Sequence, residues 1–165
     1  MLKKTFIGCL FQASLCLAAL STQVWGIDVY RGVNASVAGR ANLGPAQFGF
    51  TGTPPTLSTW ATFPLVAINN NSAIRPCYYR FNINNVPHNP PQTNDLGTLA
   101  GPTYHGNMNF SALFDNTPPG HWSILLPEGV TIDEAAINEA KAEISAWAQA
   151  NRGVNVERGT NANCN

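Results

Sequence analysis

Cys77-Tyr78-Tyr79-Arg80-Phe81-Asn82-Ile83 is the stretch that decides how this chain is read. Tyr79, Phe81 and Ile83 alternate with Tyr78, Arg80 and Asn82, and aromatic and β-branched side chains at period two suit a pleated surface. The pattern predicts a central strand. Upstream, Ile27-Asp28-Val29-Tyr30-Arg31 alternates and stops at Gly32, which predicts an opening strand. Asn34 to Gly52 is Gly- and Ala-rich without a period and reads as loop with one short helix. Thr56 to Thr62 and Leu65 to Ile68 are β-capable, broken by Pro54-Pro55 and Pro64. Downstream, Pro87 to Pro119 carries Pro90-Pro91, Gly101-Pro102 and Pro118-Pro119 and predicts a long loop. Trp122 to Leu126 predicts a strand ended by Pro127. Thr131-Ile132-Asp133-Glu134 is a capping box, so a helix is expected from about Ile132 to Asn151, with Ile137, Ala140, Ile144, Trp147 and Ala148 as its apolar stripe and Arg152-Gly153 as its C-cap. Val154 to Glu157 predicts a last short strand. The expected fold class is α+β: a small mixed or antiparallel sheet with one long capped helix near the C-terminus and one disulfide.

Residues 1–26 read as a secretory leader, with Lys3 and Lys4 before an apolar run from Phe6 to Leu20 and a cut expected at Ile27. Residues 27–165 are then one secreted domain, extracellular or periplasmic, and no later run reaches the ~20 apolar residues of a membrane span. Cys9 and Cys16 leave with the leader, so Cys77 and Cys164 remain as a pair in an oxidising compartment and are expected to bond. Nine basic residues less Lys3 and Lys4 leave seven against nine carboxylates. Without a basic run, duplex nucleic acid is a poor partner.

Few residue patterns carry chemistry. His88, His105 and His121 are scattered rather than at metal-ligand spacing, and no metal is expected. Ser123 lies two residues from His121, but no G-x-S-x-G elbow surrounds it, and neither phosphate-loop pattern occurs.

The order Val29-Tyr30-Arg31-Gly32, Leu57-Ser58-Thr59-Trp60, Cys77-Tyr78-Tyr79-Arg80-Phe81 resembles the enterotoxin-like ADP-ribosyltransferases of the pertussis and cholera type, over residues 27–83. The resemblance implies a toxin-like transferase that uses NAD on a host or target protein, with room for an accessory subunit. Arg31 would hold phosphate or ribose oxygens, Ser58 and Thr59 would brace the cleft, and Tyr79 or Tyr78 would pack on the nicotinamide. The family's E-x-E pair is missing: His121 and Ser123 stand where the two glutamates would be, and the replacement carboxylate is taken as Glu157, with Glu128 the alternative. A degenerate, inactive transferase explains the same absence.

The competing reading is a secreted, non-enzymatic interaction protein such as an inhibitor, adhesin or effector. It would bind through the Pro- and Asn-rich segment 87–119, with Tyr104, Phe110, Phe114 and Trp122 as contact residues.

Overall fold

Alternation along Cys77-to-Ile83 produces the expected strand, and its inward set, Tyr79, Phe81 and Ile83, is fully buried. The computed structural model describes residues 23–61, 75–159 and 163–164. Its strands are β1 (Trp25–Val33), β2 (Leu57–Trp60), β3 (Cys77–Val86), β4 (Leu96–Tyr104), β5 (Met108–Phe114), β6 (His121–Leu125) and β7 (Val156–Arg158). They form one antiparallel sheet in the order β1-β2-β6-β5-β4-β3-β7. β1 also pairs with β3, in register from Ile27↔Ile83 to Val33↔Cys77, and this closes β1 to β6 into a six-stranded barrel.

The expected α+β fold with a small sheet is therefore wrong: the chain is mostly sheet and closed on itself. The error lies in segment 87–119. Gly101-Pro102 reads as a loop signal, yet it sits in an irregularity of β4 between Thr98 and Thr103, where the register shifts and the strand continues. Glycine supplies the φ of 106° that this kink needs. Pro87 to Asp95, the turn His105 to Asn107 and Asp115 to Gly120 remain as connections, and the two recovered strands close the ring. Tyr104, Phe110, Phe114 and Trp122, expected as contact residues, face inward and are buried. The expected strand at Leu65 to Ile68 lies outside the described residues.

Closure is uneven. β3 meets β4 only at Ile83↔Leu99 and Asn84↔Thr98, and meets β7 only at Cys77 to Tyr79. Between them, Arg80 to Asn82 have no strand partner on that side. The helix α1 (Glu134–Ala150) packs over this split. Ala136, Ala140, Ile144 and Ala148, spaced by four, are buried, and the three alanines let the helix lie close to the sheet. Trp147 stacks on Phe81 with 6.2 Å between ring centroids and meets Gly101, where an added Cβ would lie 2.1 Å from Cζ2 of the indole. A 3-10 turn at Pro45–Phe48 sends Phe48 edge-on to Tyr79 and Phe81.

The capping box does not form. Asp133, rather than Thr131, is the N-cap, accepting the Ala136 amide proton at 2.8 Å. Arg152-Gly153 does not end the helix either: Asn151 is its C-cap, and Arg152–Asn155 forms a separate turn, α2. Cys77 and Cys164 are bonded across 87 residues, fastening the tail beside the first residue of β3. β1 begins at Trp25, two residues inside the segment read as leader; Trp25 pairs with Val86 and packs on the core.

Candidate functional site

The residues singled out from sequence divide between the two faces of the sheet. Arg31 lies opposite Tyr79, which lies opposite Val156, whereas Gly32 lies opposite Tyr78, which lies opposite Glu157. Opposed residues share a face and successive residues alternate. Arg31 and Tyr79 therefore belong to the inner face and Glu157 to the outer. Arg31 is largely buried, and its Nε and Nη1 donate to the carbonyls of Gln47 at 3.1 Å and Ser58 at 3.0 Å. Burial, aided by the charge of Arg75, lowers its pKa to about 10, so it remains a cation at neutral pH without a carboxylate partner. Ser58 offers its backbone to Arg31. Buried Thr59 donates its hydroxyl to the Trp122 carbonyl at 3.2 Å, and the Tyr79 hydroxyl accepts the Asn155 amide at 3.3 Å. Burial raises the Tyr79 pKa.

Glu157 lies 3.7 Å from Arg80, which also lies 3.9 Å from Asp28 and donates to the Val154 carbonyl. Asp28 and Arg80 edge a groove of about 440 Å³ that includes Asn82, Gly101, Trp147 and Asn155. Its charges are paired within the chain. Glu128, the alternative carboxylate, lies in the turn after β6 rather than on the face of Arg31.

Two further clusters satisfy themselves. Asp115 takes His121 Nδ1 at 2.6 Å and the Ser123 hydroxyl at 2.6 Å on its two oxygens, so the serine proton points to the carboxylate and not to the imidazole. This is not the geometry of an activated nucleophile. At the turn between β4 and β5, His105 lies 3.2 Å from Glu139, its amide donates to Glu143, and the Tyr104 hydroxyl donates to Glu139. Among the described residues His105, Glu139 and Glu143 are the group whose donor atoms gather within 4.8 Å, and a metal would find its ligands there. They are exposed or half-buried, and the same bonds fasten the turn to α1.

The remaining arginines gather at one end of the barrel. Val33, Cys77 and Arg158 are opposed across β1, β3 and β7, which brings Arg31, Arg75 and Arg158 to that end. Arg75 reaches Asn34, and the Ala41 amide donates to the carbonyl of Cys164, disulfide-bonded to Cys77. Arg152 donates to the Ala41 carbonyl at 2.8 Å and, with Arg40, Ser36, Asn42 and Gln149, lines a cleft of about 330 Å³. Five guanidiniums, those of Arg31, Arg40, Arg75, Arg152 and Arg158, thus share this end. All nine side-chain carboxylates lie in the described residues, and none forms an ion pair with any of the five. The exposed side chains of Arg40 and Arg158 have no hydrogen bond among those residues. Asp133 caps the N-terminus of α1 and Glu134, Glu139 and Glu143 lie within its first ten residues, whereas its C-terminus leads into Arg152, so charge is segregated along a helix about 25 Å long.

Comparison with protein-family models, curated proteins and solved structures finds no match. What the arrangement does chemically rests on its own groups: guanidinium forks with unused N–H donors hold phosphate, sulfate or carboxylate oxygens, bidentately where two donors align. Sequence reasoning passed over Arg40 and Arg152. A signal was present, since the stretch between Asp28 and Asp95 holds Arg31, Arg40, Arg75 and Arg80 and not one carboxylate.

Proposed function

We propose that this is an exported, non-catalytic binding protein whose arginine-rich end engages a ligand bearing phosphate or sulfate groups. The observation that carries the reading is that, among the described residues, none of the five arginines gathered at one end has an ion pair, in a chain with only seven basic residues outside its leader. Uncompensated cations raise a local positive potential although the whole mature chain is slightly acidic. The acidic half of α1 turns the molecule into a dipole that presents this end to an anionic target. An ADP-ribosyltransferase reading needs a carboxylate beside Arg31 in a dinucleotide-sized groove, and Glu157 belongs to the other face. The geometry thus favours a binder over a catalyst.

The test is titration of the oxidised mature protein with dextran sulfate and with uncharged dextran, at low and high sodium chloride. Binding to the sulfated polymer alone is expected, weakening steeply with salt as counterions are released. Arg40→Ala and Arg152→Ala should each make the salt dependence shallower. Equal binding to both polymers, or an unchanged salt slope in both variants, rejects the proposal.

A further inference from the structure

The arginine end also carries, among the described residues, the most exposed large apolar side chain. Ala35 and Ala41 form an isolated bridge, the Ser36 amide donates to the Arg40 carbonyl, and the Gly39 amide donates to the Ser36 carbonyl at 2.8 Å. Gly39 takes a φ of 82° to complete the reversal. Val37 therefore stands at the tip of a tight turn with a relative exposure of 110%, and Ala38 beside it is exposed too. Val154, two residues beyond Arg152, is 70% exposed and ranks second among the exposed large apolar side chains of the described residues. Hence the two most exposed of these side chains lie next to the two arginines that line the cleft.

Resting on the anion-binding reading above, we propose that the partner is an anionic lipid surface: the Arg40–Arg152 cleft takes a headgroup phosphate while Val37 enters the boundary of the acyl region. A soluble polyanion offers the arginines the same oxygens but gives a protruding valine nothing apolar to enter. A bilayer offers both layers of chemistry at the separation the turn provides, charge at the headgroups and hydrocarbon just beneath. Each arginine near such a surface contributes about fivefold in affinity, and burying the valine about tenfold. The attachment is reversible and peripheral, and among the described residues no helix is long and apolar enough to cross a membrane.

Cosedimentation of the oxidised mature protein with vesicles of phosphatidylcholine, alone or mixed equally with phosphatidylglycerol, tests this, beside dextran sulfate as the soluble polyanion. Binding to the mixed vesicles and to dextran sulfate is expected, and none to phosphatidylcholine alone. Val37→Asn should lose about tenfold on those vesicles with no change toward dextran sulfate, because it removes no charge; Arg40→Glu should weaken both. Binding to dextran sulfate without binding to mixed vesicles overturns the lipid proposal and leaves the anion-binding reading standing. Full vesicle affinity in Val37→Asn overturns the insertion of the turn. Failure to bind either probe removes both. Val37 touches solvent on all sides, so a matching thermal midpoint is expected for the variant and verifies that it folds.

Discussion

Replacing Gly101 by alanine tests how α1 is held on the barrel, and with it the placement of Arg152. The new Cβ would lie 2.1 Å from Cζ2, 2.3 Å from Cε2 and 2.7 Å from Nε1 of Trp147. Ordinary contact begins near ~3.5 Å, so ring or strand must yield by about 1.5 Å. Trp147 is stacked on Phe81 and set edge-on to Tyr79 at 6.1 Å, so the ring has no room to retreat without unpacking both. Overpacking of this kind costs about 1–3 kcal/mol, and a left-handed backbone with a Cβ adds about 1–2 kcal/mol. The sum is about 2–5 kcal/mol. Gly106 separates the two contributions: its φ is 74° and nothing lies within 4 Å of its ideal Cβ, so Gly106→Ala should show the backbone cost alone. In urea unfolding followed by tryptophan fluorescence, Gly101→Ala should lower the midpoint by about 1–2 M for a typical slope, and Gly106→Ala by less than half of that. Equal midpoints for the two variants would refute the packing of Trp147 against β4.

Replacing Cys77 and Cys164 together by serine should lower stability by up to about 4.6 kcal/mol in the chain-entropy model and weaken dextran sulfate binding, because the Ala41 amide depends on the Cys164 carbonyl; unchanged affinity in a folded variant counts against that link. A chain starting at Ile27 loses the Trp25–Val86 pair and should melt below one starting at Gln23; mass spectrometry of exported protein should accordingly place the mature N-terminus before Trp25. Burial works to raise the Asp95 pKa, but the Gln92 amide and His88 outweigh it and hold the carboxyl below 3.8. A depressed folded-state pKa contributes stability above the unfolded value and loses it as pH falls through the folded value, so Asp95→Asn should melt below wild type at about pH 6 and approach it as the medium is acidified through the lowered value; a pH-independent difference would contradict this.

Local signals were legible where one pattern acted alone. Alternation at Cys77 to Ile83, the helical spacing of Ala140, Ile144 and Ala148, and the even pair of cysteines each declared themselves, although Ile137 and Trp147 of the same stripe are only partly buried and Ala136 takes the inward position. What escaped was set by partners distant in sequence. Gly101-Pro102 has turn chemistry, and only Trp147, 46 positions later, makes it a kink within a strand. Asp133 displaced Thr131 as the cap because the helix docks at Ala136, a choice made by the barrel rather than by the box. The arginine end was less legible still, since Arg31, Arg40, Arg75, Arg152 and Arg158 meet only once the sheet closes and the disulfide draws in the tail. The absence of carboxylates between Asp28 and Asp95 was its one linear trace.

Ring closure has a consequence for colloidal behaviour. Only 11% of residues are charged, and segments such as Tyr78 to Ile83 and Trp122 to Leu126 are the sort that template intermolecular β-stacking when a strand flank is bare. With β1 to β6 joined in a circuit, the outermost described strand is three-residue β7, ending in Arg158 and covalently pinned nearby. Ring closure thus leaves the described strands almost no flank on which such stacking could be templated, a protection that does not depend on surface charge.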